Sequence, residues 1–391
     1  MRIGIAFLVA GYVLSQFYRT FLAVMTPVLE AETGATAADL AVSSGLWFLA
    51  FALMQIPVGA ALDRVGPRWT VSMLLAFGGA GGAMVFALAT GPYAIHLAML
   101  LIGVGCAPVL MASYYIFARV YPPAVFGTLA GAMVGLGSLG NIAGAAPLAW
   151  AIKEFGWRET LWLLAGATLV VAGALATFVR DPERVNGGQR GSFSELLAIR
   201  DLWLVLPLMA VAYAPMAAIR GLWAGPYLSQ VFGADAEGIG HATLAMGLAM
   251  VAGNFAYGPL DRLVGSKKWG VLAGCSAMAL VLGVMAWQPA AGIVPATVLL
   301  AALGFFGSSY PAIMAHGRSF LPPHLIGRGV AFINMFGIGG AGLMQFVSRP
   351  VYRAAENPAA PAATFTVLFL FFLVPVLFGL LIYLFSRDLR A

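Results

Sequence analysis

Two arginines sit where charge is expensive. Arg19 lies 17 residues into an apolar run, and Arg220 lies 19 residues into another. All 15 acidic residues fall in polar segments or at the edges of apolar runs, so the sequence offers neither arginine a carboxylate partner inside its run. A guanidinium in low-dielectric surroundings invites an anion, and its planar fork suits a carboxylate or a phosphate. The structural alternative is a clamp on backbone carbonyls. Helical spacing sets Tyr12, Ser15 and Gln16 beside Arg19, and Tyr213, Met216, Trp223 and Tyr227 beside Arg220. Aromatic walls with a few donors are how small-molecule sites are usually built. Tyr227 also fits an anchor at a membrane interface.

The second chemistry-bearing stretch is a charged hinge between apolar runs, carrying Gly59, Asp63, Arg64, Gly66 and Arg68. The chain repeats it loosely with Gly258, Asp261, Arg262, Gly265, Lys267 and Lys268, so Asp63 and Asp261 are 198 residues apart. Other features return at nearly the same interval. Pro122-Pro123 with Gly127 recurs as Pro322-Pro323 with Gly327, an offset of 200, and Ser113-Tyr114 as Ser309-Tyr310, an offset of 196. Arg19 and Arg220 are 201 apart. A common offset near half of 391 residues, kept in order, indicates internal duplication. It also puts the two arginines at equivalent depths.

The elements that must position these residues are membrane helices. Hydrophobic residues make up 61% and charged residues 9%, against about 25% charged in a soluble domain. A bilayer-crossing helix takes about 20 apolar residues. Twelve such runs are expected, at 3–29, 41–62, 70–90, 92–118, 128–152, 159–179, 202–228, 241–260, 270–288, 293–316, 329–348 and 364–385. The expected fold is an all-α membrane protein of two pseudo-symmetric six-helix bundles, 1–179 and 202–391, joined by a polar linker at 180–201. The first run is too long for a signal-peptide core and reads as a retained helix. Fifteen of the 21 Lys and Arg fall on one side of the membrane. Four fall opposite, at Lys153, Arg158, Arg349 and Arg353. That bias places both termini, the linker and the two Asp-Arg loops in the cytoplasm. The net charge of +6 is thereby a matter of topology, and no nucleic-acid partner is expected. Glycines spaced for close helix contact occur at Gly127, Gly131 and Gly135, and again around Gly337 and Gly340.

Twelve helices as six plus six, a polar central linker and Gly-x-x-x-Asp-Arg-x-Gly-x-Arg after the second helix resemble the major facilitator superfamily, with Pro67 where a basic residue is commoner. The resemblance spans the whole chain and implies a transporter that exposes a central site to one side at a time. It implies that helices one, four, seven and ten line the cavity. This adds Tyr114 and Tyr310, with Asn334 from helix eleven. The expected solute-binding set is then Arg19, Arg220, Tyr12, Gln16, Tyr114, Tyr213, Trp223, Tyr310 and Asn334. The expected gating set is Asp63, Arg64, Gly66, Arg68, Arg119, Asp261, Arg262, Gly265 and Lys267, with Arg119 as a partner of Asp63. One arginine on helix one and one on helix seven is similar to the organophosphate antiporters of the superfamily. Tyr18-Arg19-Thr20-Phe21 and Arg220-Gly221-Leu222-Trp223 also resemble a bacterial subgroup with copper and riboflavin importers.

The expected activity is secondary transport of a small organic anion across the inner membrane by a monomer. Riboflavin-like vitamins and copper are alternative cargoes, and a transporter-like assembly factor or sensor without flux is the alternative from another class. Copper import in that subgroup uses paired methionine motifs, and here the pattern is broken. Ala212 stands four before Met216, and His241 five before Met246, so Met209, Met216, Met246 and Met250 read as packing. No nucleophile, acid pair or metal cluster appears at the expected cavity, so no enzyme activity, metal or cofactor is expected. Proton coupling would rest on His316 alone among residues near the runs, and the helix-four arginine of drug–proton antiporters is absent.

Overall fold

The computed structural model describes residues 2–35, 37–144, 146–183, 193–234, 236–259 and 264–388. These are built from helices. We number the long ones α1 (Arg2–Thr20, continued by Leu22–Thr33), α2 (Val42–Arg64), α3 (Pro67–Ala87), α4 (Pro92–Val120), α5 (Pro123–Phe155), α6 (Trp157–Phe178), α7 (Arg200–Phe232), α8 (Gly238–Tyr257), α9 (Lys267–Trp287), α10 (Ile293–Arg318), α11 (Pro323–Ala355) and α12 (Pro361–Tyr383). The eleven from α2 to α12 are long and apolar enough to cross a membrane. With α1 they account for the twelve expected runs. A short helix, Phe193–Leu197, precedes α7.

Several helices start earlier than their apolar runs, and the cause is local. Pro67, Pro123 and Pro361 each open a helix, where a missing N–H costs nothing and the fixed φ is already helical. Ser266 caps α9, its Oγ accepting from Trp269 N at 3.1 Å. Breaks inside helices also have causes. α7 kinks at Tyr213 ahead of Pro215, then takes a π-turn over Ile219–Trp223 that carries Arg220. α10 loosens to a 3-10 turn at Gly307–Ser309 ahead of Pro311.

The described residues group into two compact units. One comprises 1–122, 136–196 and 321–332; the other comprises 123–135, 197–320 and 333–391. Helices α5 and α11 therefore each begin in one unit and continue in the other.

The duplication is visible in the packing within each unit. In the first, α2 packs on α4, α3 on α6 and α1 on both α4 and α6; in the second, α8 packs on α10, α9 on α12 and α7 on both α10 and α12. The closest approaches repeat as well. A Cβ on Gly103 would lie 2.5 Å from Trp47 O, and one on Gly304 2.6 Å from Met246 O. Gly140 abuts the Val13 carbonyl, and Gly340 abuts that of Ala210. A Cβ on Gly59 would lie 2.9 Å from Arg328 Cα, and one on Gly258 3.0 Å from Thr128 Cα. Lipid supplies no hydrophobic push between helices, so such small-residue contacts carry much of their association.

Candidate functional site

Arg220 sits half-buried on its π-turn, where the extra residue re-aims the side chain. Its guanidinium lies over α8, and a Cβ on Gly247 would come within 3.1 Å of Nη2. Tyr213, at the α7 kink, meets Tyr310 of α10 edge-on, ring centroids 5.9 Å apart. The Tyr310 hydroxyl donates to Asn334 Oδ1 of α11. The second unit thus joins three expected residues, Tyr213, Tyr310 and Asn334, with Arg220 on the same helix as Tyr213.

Other expected residues are held elsewhere. Trp223 donates Nε1 to Ser348 Oγ at 2.9 Å and lies against the Tyr352 ring at 4.6 Å. Tyr227 donates its hydroxyl to the Pro289 carbonyl at 2.7 Å, among Phe232, Phe365 and Phe369. The Trp223 bond ties α7 to α11, and the Tyr227 bond ties it to the turn after α9. Met216, Met246 and Met250 pack around the α10 segment Gly304–Ser308.

In the first unit, Arg19 is half-buried with its guanidinium 5.0 Å from the Phe48 ring centroid, a cation–π geometry. Gln16 and Tyr114 are buried. Tyr12 is buried too, and its ring fills the space beside Gly137 of α5.

The charged hinge is resolved into two devices, both within the first unit. Asp63 caps the start of α11: Oδ1 accepts from Gly327 N at 3.1 Å and Oδ2 from Arg328 N at 3.2 Å. Arg328 Nε stands 3.8 Å from the same carboxylate, and both side chains are largely buried. Anions favour a helix N-terminus because free N–H groups and the dipole point there. Arg119 is within electrostatic range of Asp63, but its hydrogen bond goes from Nη2 to Pro323 O at 2.8 Å, and it stacks over Tyr115. Arg119 thus braces the turn before α11, while Arg328 provides the ion pair.

The second device ties the hinge to α6. Arg68 donates its backbone N–H to Asp181 Oδ1 at 2.8 Å and Nε to Ala176 O at 2.5 Å. Gly66 has φ of 100°, and a Cβ there would sit 2.6 Å from the Asp181 carboxyl carbon. Arg64 is exposed. In the later copy, Asp261 and Arg262 lie outside the described residues. Gly265 has φ of 70°, Lys267 is buried, and Ser266 Oγ donates to Asp388 Oδ1 at 2.7 Å. An aspartate just past the sixth and twelfth helices thus serves each loop.

Sequence reasoning missed Gly327, Arg328, Asp181 and Asp388. The recurrence of Gly127 as Gly327 was the available signal for the first. Nothing marked the two aspartates, because they pair across more than 100 residues.

Long apolar helices and packing that repeats in each half define a polytopic membrane protein. The chain belongs to the Major Facilitator Superfamily, whose profile matches residues 8–344. It is 25% identical over 343 residues to the fosmidomycin resistance protein of Escherichia coli, covering 85% of this chain and 82% of that one. An Agrobacterium vitis protein described as a candidate tartrate transporter is 21% identical over 367 residues, covering 86% and 80%. The crystal structure of the human organic anion transporter MFSD10 (TETRAN) superposes with a TM-score of 0.71 at 19% identity, covering 97% of this chain and 99% of that one. The protein is therefore a multi-pass membrane transporter of a small-molecule solute and not an enzyme.

Proposed function

We propose that the solute is a small organic anion, held by Arg19 in one repeat and by Arg220 in the other. The observation that carries this reading is the pair of half-buried arginines on π- or helix-borne positions deep in α1 and α7, recurring at the duplication offset. Charge at that depth is costly and is retained where it does work. Two relatives' names lean the same way, one for tartrate and one for organic anions. Trp223 and Tyr227 are committed to structural hydrogen bonds, which leaves less aromatic wall for a flavin-like cargo.

In this reading the repeats 1–179 and 202–391 are the two bundles that alternate access. The Asp63 cap on α11 is the latch, closed here and released when its side of the membrane opens. The Lys and Arg bias puts that side, and both termini, in the cytoplasm of a bacterial inner membrane.

The test is binding and flux together. Small carboxylates and phosphonates are expected to raise the melting temperature of the purified protein, and Arg19→Gln and Arg220→Gln are each expected to abolish the shift. Reconstituted vesicles are expected to load the same anion with saturable kinetics. An unchanged ligand response in both variants would remove the site assignment, and binding without flux would favour a sensor.

A further inference from the structure

Asn334 is an anomaly in α11. It is fully buried, and while its Oδ1 accepts from Tyr310, its Nδ2 has no hydrogen-bond partner among the described residues. Flipping the amide does not help. The nitrogen would then face the hydroxyl, and the oxygen would be left over. Either way one strongly polar atom bears its desolvation unrelieved, which native proteins rarely tolerate without a reason.

The duplication shows that the fold does not require an amide there. The offset of 200 that pairs Gly140 with Gly340 and Gly127 with Gly327 pairs Val134 with Asn334. The first repeat builds the same helix with an apolar side chain.

Nor is the amide loosely held. The Tyr310 ring is boxed by Gly337, whose added Cβ would lie 2.9 Å from Cε2, and by the edge-on Tyr213. That fixes the hydroxyl that fixes the amide. The same Tyr213 shares the kinked α7 with Arg220. Within one unit, then, the helix that carries Arg220 also presents Tyr213 to Tyr310, and Tyr310 holds the Asn334 amide.

We infer that Asn334 is a specificity contact for the carried anion. Arg220 takes the charge, and the Asn334 amide N–H reads a second acceptor on the solute: a hydroxyl, keto or further carboxylate oxygen. Tyr310 is a positioning residue that presents the amide. The inference rests on the organic-anion reading above. A buried donor discriminates strongly, because a solute lacking the acceptor leaves it unpaired.

The test uses anion pairs differing by one hydroxyl: malate and succinate, lactate and propionate, 2-hydroxyethylphosphonate and ethylphosphonate. Affinities are measured by calorimetry on the purified full chain. Wild type is expected to favour the hydroxylated member of a bound pair by about tenfold or more. Asn334→Val, copying the first repeat, is expected to erase that preference and keep the affinity for the plain anion. Asn334→Ser is expected to restore part of the preference, and Tyr310→Phe to weaken it without touching the plain anion. Arg220→Gln is expected to lose both members. A preference surviving in Asn334→Val would overturn the inference and leave the anion reading standing. So would a variant that loses both members equally, since Asn334 would then be structural. Wild type binding none of the six anions would overturn the anion reading, and this inference with it.

Discussion

At the scale of single residues, the chemistry turns on what satisfies each charge. Asp63 is held by two N–H groups and one guanidinium. Asp63→Asn keeps the shape and removes the charge, a change worth roughly 1–2 kcal/mol for a charged cap at a helix start. The start of α11 is then expected to be open about tenfold more often. Ala331→Cys reports this, because Ala331 is buried beside Gly59 and the native Cys106 and Cys275 are both buried. Its labelling by a water-soluble maleimide is expected to speed up about tenfold in Asp63→Asn; an equal rate would show that the cap is no latch. Gly66→Ala tests the other device. It forces a side chain into left-handed backbone and against Asp181, at a cost of about 1–3 kcal/mol, which should appear as a lower melting temperature. Arg19 and Arg220 were legible because charge inside an apolar run stands out. The partner of Asp63 was not. A sequence shows that Arg119 and Arg328 are basic, but not which one faces the carboxylate, nor that backbone N–H groups take it first.

At the scale of elements, apolar length made the helices readable, and their ends and kinks were harder. The apolar run of α11 covers 329–348, yet the helix spans Pro323–Ala355, because helix geometry continues through polar flanks once Pro323 has set φ. The π-turn that carries Arg220 leaves no mark in composition. Helix contact offers a sharp test with an internal control. A side chain on Gly340 would meet the Ala210 backbone, while Gly339 has open space around it. Gly340→Leu is expected to lower the melting temperature and broaden the size-exclusion peak, overpacking of this kind costing about 1–3 kcal/mol. Gly339→Leu should leave both unchanged.

At the scale of the molecule, the proposed latch has α2 and the start of α11 separate during transport. A Cβ on Gly59 lies 3.0 Å from that of Ala331, close to the Cβ separation of about 3.5–4.5 Å that a disulfide spans. Gly59→Cys with Ala331→Cys is expected to oxidise once the Arg328 backbone, 2.9 Å from a Cβ at Gly59, shifts to admit it, to stop solute loading, and to recover it on reduction. Flux that persists through the cross-link would show that this contact stays shut during the cycle. The unit boundaries carry one more consequence. Residues 321–332 complete the unit built mainly from the first half of the chain, and 123–135 complete the other. A protease cut in the linker would therefore leave two pieces that each hold a missing part of their counterpart. Genes for the two pieces, expressed from separate promoters, should yield products that purify together.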